Sequence, residues 1–219
     1  LNNENMINKN ISTTTLFNTE ADTNNGRYIY NNLEASINDD NNLWLYFGTG
    51  NTQKLGERSS NIKNRAYGIK DKDFPNFNNI SSAGTIRKCT TPPSCPGGYY
   101  DLGWYVDLKN SRKVTASPTV FKDRVYFPLY EPASASAVCT QGSAYLNAYT
   151  RKCGASKLGV RLGKGVLSKV VVHNDNLYIG LSGEADTTGT KFTSSGNLIT
   201  GKSKATSGKS GVQLEGWKE

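Results

Sequence analysis

The sequence predicts an all-β protein, and three observations in it do so. Large apolar residues alternate in short runs, of which Asn42-Leu-Trp-Leu-Tyr-Phe-Gly-Thr-Gly-Asn51 is the strongest. Twelve Tyr and 22 Gly, with frequent Thr, Val and Ser, favour strands joined by turns. Helical runs of Ala, Leu, Glu and Lys are absent. With 219 residues and 36% hydrophobic content, the chain can bury a substantial core but is rich in surface and loops.

Residues 1–32 are dominated by Asn and Thr and read as an extended segment that continues into, or packs on, another blade-like sheet. Residues 33–50 form the first strand pair. Leu33, Ala35 and Ile37 alternate, Asp39 to Asn42 turns, and the strong strand follows. Leu43, Leu45 and Phe47 lie on one face of that strand, and Trp44 and Tyr46 on the other, so it is covered on both sides. Gly48-Thr-Gly50 ends it and allows other backbone to pass close by. A polar loop leads to a strand at Ala66–Ile69 that ends at Asp71. Residues 72–101 read as an insertion, because Pro75, Pro92, Pro93, Pro96, Gly97 and Gly98 exclude regular structure. Gly103-Trp-Tyr-Val-Asp-Leu108 resumes the framework, Ala144 to Tyr149 is a return strand, and Val212 to Trp217 has strand pattern.

A repeat organises these strands. Val120-Phe-Lys-Asp-Arg-Val-Tyr126 aligns without a gap on Val172-His-Asn-Asp-Asn-Leu-Tyr178. The hairpin ending at Tyr46 is a third copy, with a turn about three residues longer. The Tyr intervals are 80 and 52; removing the insertion brings the first close to the second, the size of a four-stranded propeller blade. The expected fold is therefore a partial or modified β-propeller with Cys-containing loop insertions.

The formal net charge is +8 and unevenly placed: residues 109–172 hold eleven Lys and Arg against Asp123 and Glu131. Lys109, Arg112, Lys113, Arg151 and Lys152 are candidates for a basic, partner-facing surface, against ordinary solvation of outer strands. No recognition motif or aromatic-interleaved basic run accompanies the charge, so no nucleic acid is expected. Cys89, Cys95, Cys139 and Cys153 lack metal-ligand spacing, and an even count in a loop-rich chain favours two disulfides and an oxidising compartment. Four Cys permit three pairings, of which the two sequence-local ones are preferred. There is no charged-then-apolar leader and no apolar run of membrane-spanning length. Met6 is the sole Met, so a chain opening at Leu1 reads as a processed or expressed product, or as part of a longer polypeptide.

No catalytic, cofactor-binding or metal site is assigned. The single His173 falls in a hairpin and reads as a surface imidazole. Asp71 and Asp73 begin like a calcium loop, but Pro75 interrupts it and no Glu closes it. Asp39 with Asp40 reads as a turn, and Gly183-Glu-Ala-Asp186 as a solvated loop that could offer carbonyls to a cation. Ser203-Lys-Ala-Thr-Ser-Gly-Lys-Ser210 lacks the first glycine of a phosphate loop. Trp44, Trp104 and Trp217 are expected in the core between sheets rather than on a ligand platform.

Leu45-Tyr-Phe-Gly-Thr-Gly50, Ala66-Tyr-Gly-Ile-Lys-Asp71, Gly103-Trp-Tyr-Val-Asp-Leu108, Ser117-Pro-Thr-Val120 with Val125-Tyr-Phe127, Cys139 with Gly142 and Leu146-Asn-Ala-Tyr149, and Trp217-Lys-Glu219 occur in that order. In this order, over residues 33–219, the chain resembles the C-terminal propeller domain of the PilY1 family of type IV pilus tip-associated proteins. The resemblance implies quinoprotein-like blades and a non-enzymatic pilus biogenesis factor and surface adhesin at the pilus tip or outer-membrane surface. Its implied partners are minor pilins, a further polypeptide segment that completes the propeller, and a host or abiotic surface. The family's calcium loop would lie upstream of the matching stretch, so calcium is implied only there. The alternatives are a fragment of a quinone-dependent propeller dehydrogenase and an extracellular carbohydrate-binding lectin that uses Trp and Tyr exposed at the Gly-Thr-Gly turn.

Overall fold

A computed structural model describes residues 16–19, 27–38, 41–58, 61–74, 86–89, 102–134, 136 and 140–206. These contain strands and no helix. The first sheet comprises β1 (Glu34–Ile37), β2 (Leu43–Gly48), β3 (Arg65–Asp71), β4 (Arg87–Lys88) and β5 (Gly103–Asp107), in the order β1-β2-β3-β5-β4. All its pairings are antiparallel except β4 with β5. The second holds β6 (Lys113–Val114), β7 (Thr119–Phe121), β8 (Arg124–Glu131), β9 (Ser143–Thr150) and β10 (Ser156–Lys164), in the order β10-β9-β8, with β6 and β7 both on β8. The third holds β11 (Val171–His173), β12 (Asn176–Gly180), β13 (Phe192–Ser195) and β14 (Leu198–Lys202), ordered β11-β12-β14-β13.

The all-β expectation is met, and the gapless repeat has a structural counterpart. Tyr126 pairs with Thr119 in the β7–β8 hairpin, and Tyr178 pairs with Val171 at the same register in β11–β12. The β11–β12 turn closes on Asn174 and Asp175, both at positive φ, the conformation that two-residue hairpin turns favour. In the first hairpin a loop of residues 38–42 replaces the two-residue turn. Residues 72–101, expected to lack regular structure, contribute β4 where Arg87 and Lys88 run parallel to β5. Most of that stretch, the first fifteen residues, Asp39, Asp40, and the strand expected at 212–217 with Trp217 lie outside the described residues.

Period-2 alternation gives the middle sheet two apolar faces. Val125, Phe127, Leu129 and Tyr149 pack against Trp44, Tyr46, Ala66 and Trp104 of the first sheet. Tyr126, Ala144, Leu146 and Ala148 face the other way, onto Leu177, Ile179 and Ile199 of the third. The sheets thus stack in chain order, with one core between each consecutive pair. Tyr46, Tyr126 and Tyr178 occupy the second strand of successive hairpins; Tyr46 and Tyr126 face the following sheet. Tyr178 lies between Leu177 and Ile179, which face backward, so alternation turns it forward too.

The leading strands converge. Thr119 Oγ1 of β7 donates to Val170 O beside β11 at 2.7 Å, and Lys169 Nζ pairs with Glu34 of β1 at 2.9 Å. At the Gly-Thr-Gly turn the expected close approach is made by β6, whose Val114 N donates to Thr49 O at 3.1 Å, and by the segment before β1, where Tyr28 O accepts from Gly50 N at 2.9 Å. A side chain at Gly48 would run into Val114, so the sequence needs glycine there.

Candidate interaction surface

The two outermost faces of the stack differ. On the third sheet, pairing places Val171, Tyr178, Thr200 and Thr193 in one row, flanked by His173, Asn176 and Lys202 on one side and Leu198 and Ser195 on the other. This face is mixed, with the Thr193 and Thr200 hydroxyls 2.9 Å apart. On the first sheet, Phe47, Tyr67 and Ile69 form an apolar cluster with Ile86, against which Leu16, Phe17, Leu102 and Tyr105 pack. Among the described residues the cover is incomplete. A groove of about 610 Å³ remains, walled by Leu16, Phe17, Ile29, Leu45, Phe47 and Ile69, with Asn31 and Asn32 at its rim. That volume lies within the range of ordinary ligand pockets.

Beside the groove, Tyr28, Ile29, Tyr30 and Leu33 are each between 42% and 52% exposed. Tyr28 and Tyr30 tilt against one another at 6.0 Å next to the Gly-Thr-Gly turn, so exposed aromatic rings stand where the lectin alternative needs them. Single exposed apolar side chains are common on proteins; a contiguous group along a groove is what marks a contact surface.

The five basic candidates do not form one surface. Lys109 and Lys152 are exposed. Arg112 is half-buried, held by Glu131 at 2.7 Å and lying 3.5 Å over the Tyr145 ring. Lys113 is buried, and its ammonium donates to Leu55 O and Glu57 O, which fastens the 51–57 turn to β6. Burial holds its pKa below the ordinary lysine value. Arg151 is also buried: its guanidinium donates to Lys122 O and Ser36 Oγ, at 3.0 and 2.8 Å. Its carbonyl accepts from Trp104 Nε1 at 2.7 Å and Tyr46 OH at 3.3 Å. This residue pins the first sheet to the second, a role that a basic pair at Arg151-Lys152 does not announce in sequence.

Cys89 follows β4 and is half-buried. Cys153 is buried, and its sulfur lies 3.2 Å from Thr150 Oγ1. Cys95 and Cys139 lie outside the described residues. Asp71 Oδ1 accepts from Asp73 N and Phe74 N, capping the end of β3. In the Gly183–Asp186 loop, Glu184 O accepts from Lys164 N, and the Asp186 carboxylate binds Arg161 at 2.5 Å. His173 is exposed at its turn, Trp44 and Trp104 are buried, and no group of three metal-ligating side chains occurs among the described residues. No family model, curated protein or solved structure matches the chain.

Proposed function

We propose that this chain is a non-enzymatic interaction module: blades of a PilY1-type propeller, acting at a pilus tip or outer cell surface through contacts with minor pilins. The convergent leading strands β1, β7 and β11 and the chain-ordered stacking support a radial arrangement of blades. The observation that carries the interaction reading is the apolar outer face of the first sheet. Its groove and its exposed Ile29 and Leu33 resemble the inward faces that meet between the sheets, and such a face gains from being covered. The cover is a further polypeptide segment, either the rest of a propeller or a partner subunit. In an exported protein a Cys139–Cys153 disulfide would tie the start of β9 to the β9–β10 turn.

The test is a binding titration of the full chain against purified minor pilins, with an Ile29→Asp, Leu33→Asp double variant. Both residues are about half exposed, so the fold should persist while binding falls at least tenfold. A Lys109→Glu, Lys152→Glu variant tests whether the remaining exposed basic candidates also contribute. Wild-type chain that binds no pilin, or binding unchanged in the apolar double variant, overturns the reading.

A further inference from the structure

Next to the Gly-Thr-Gly turn lies a second cavity, of about 160 Å³, walled by Tyr28, Asn51, Lys54, Glu57, Asn64 and Lys113, none of which lines the apolar groove. Its walls are held in place. Gly50 N donates to Tyr28 O at 2.9 Å, and the Asn64 amide donates to Arg112 O at 3.0 Å. Asn51 Oδ1 accepts from Gln53 N at 3.1 Å and Lys54 N at 3.2 Å, a turn that leaves the Asn51 NH₂ group without a partner among the described residues. Lys113 is the unusual member. It is 4% exposed, and its ammonium donates to Leu55 O at 2.9 Å and Glu57 O at 2.5 Å, so one of its three N–H groups is unused. Among the described residues no carboxylate pairs with it. Burial depresses its pKa most; the Glu57 charge opposes that from beyond ion-pairing distance, and the Arg58 charge adds to it. Arg58 itself is turned to the carbonyls of Pro132 and Ala133.

A buried ammonium without a carboxylate partner is costly to keep charged, and the wall of a cavity is where a ligand's anion can meet it. We propose that this cavity binds one acidic sugar unit of a glycan, a hexuronic acid, with the sugar carboxylate toward Lys113. The wall carries Lys54 and Lys113 against Glu57, an excess of one positive charge, which a single carboxylate cancels. The other groups suit hydroxyls: the Asn51 NH₂ donates, and the exposed Glu57 carboxylate accepts. The Tyr28 ring, about half exposed, offers a flat apolar face to the C–H face of a sugar ring, and Tyr30, 6.0 Å away ring to ring, extends that surface toward a neighbouring unit. A cavity this small beside ordinary ligand pockets takes one sugar ring rather than an extended ligand. The site gives the carbohydrate alternative a definite place and chemistry, and it depends neither on the apolar groove nor on pilin binding.

The experiment is a titration of the full chain with sodium glucuronate, sodium galacturonate, glucose and sodium acetate at constant ionic strength, followed through the NMR signals of the lysine Cε groups and tyrosine rings. With a uronate, saturable shifts are expected at Lys54, Lys113 and Tyr28, and the titration midpoint of Lys113 should rise, because a carboxylate beside an ammonium favours its charged form. Glucose lacks the carboxylate and acetate lacks the ring, so each should bind at least tenfold more weakly than the better uronate. Lys54→Ala should weaken uronate binding about threefold and Tyr28→Ala about fivefold. Both residues are exposed, so folding of these variants can be checked by near-ultraviolet circular dichroism. Lys113→Met would free the 51–57 turn as well as remove the charge, so the two exposed variants carry the test. Lys157→Ala, at an exposed lysine on β10, should leave binding unchanged. Acetate or glucose binding as tightly as the uronates, shifts of equal size at Lys157, variants that bind like the wild type, or no saturable binding of either uronate would each overturn the proposal.

Discussion

The two buried seams of this molecule are filled by different chemistry. Between the first and second sheets the large side chains are aromatic: Trp44 stacks on Tyr46 at 6.0 Å, and Trp104 meets Tyr149 at 5.9 Å and, edge to face, Phe127 at 6.5 Å. Between the second and third they are mostly aliphatic, with Leu146, Leu162, Leu167, Leu177, Ile179 and Ile199 almost wholly buried. An aliphatic seam fixes separation and volume. The aromatic seam also carries polar tips, and two of them converge on the Arg151 carbonyl, so it fixes orientation as well. The difference teaches that one joint is directional and the other compliant.

The largest effect should come from emptying the directional seam. Trp104→Ala removes a fully buried ring and its hydrogen bond to Arg151 O, and should cost about 4 kcal/mol. Leu177→Ala, in the compliant seam, should cost about 3 kcal/mol. Urea denaturation measures both. The ring also packs directly on Gly154, where φ is 69° and a Cβ would meet the ring, so position 154 offers no side chain to fill the cavity. A Trp104→Ala cost smaller than that of Leu177→Ala would reverse the comparison.

A subtler substitution separates orientation from volume. Tyr46→Phe keeps the ring and deletes the donor to Arg151 O, and should cost about 1 kcal/mol. Burial pushes the Tyr46 phenol well above the ordinary tyrosine value, so it remains a donor at every pH where the protein is handled. Tyr126→Phe, at the other seam, deletes a buried bond of the same 3.3 Å length, but to the rotatable Ser203 hydroxyl, which can turn to another partner, and should cost less than Tyr46→Phe. Equal costs for the two tyrosines would mean that neither seam is more directional than the other.

Much of the directional seam was legible in the sequence. Trp44, Tyr46 and Trp104 stand in short alternating runs bounded by Gly or Asn, and period-2 alternation is enough to assign both faces of β2. The gapless match of the β7–β8 and β11–β12 hairpins was legible for the same local reason. What the sequence hid is non-local. Arg151 sits beside Lys152 and reads as surface, yet its partner Ser36 lies 115 residues away. β10 mixes Lys157, Arg161 and Lys164 with Gly159 and Gly163, the charged and broken pattern of an outer strand, and it raised no distinct signal. The order β11-β12-β14-β13 depends on which strand of the last hairpin reaches β12 first, and strand propensity says nothing about that. The groove is assembled from residues 16, 17, 29, 31–33, 45, 47 and 69, and no single run displays it.

The smallest effect concerns charges that reinforce the first sheet alone. Asp107 ends β5 and binds Arg65 of β3 at 2.9 Å and Lys88 of β4 at 2.5 Å, with Arg65 lying 4.1 Å over Tyr105. Burial by itself would raise its pKa, but hydrogen bonds from Lys88 and Arg65 outweigh that and hold the carboxyl below the usual range. A group depressed in the folded state stabilises it fully above its unfolded value, about 3.9, and the contribution disappears as pH falls through the lower folded value. Stability should therefore decline below about pH 4 by less in Asp107→Asn than in the wild type, the difference staying under about 1 kcal/mol for a partly exposed pair. Asp186, exposed and depressed chiefly by Arg161, links β10 to the loop preceding β13, and Asp186→Asn should change the acid slope less than Asp107→Asn does. If instead the Asp186 variant flattens the slope more, the charges that matter span the compliant joint, and that joint would owe its geometry to ion pairs that the aliphatic core does not supply.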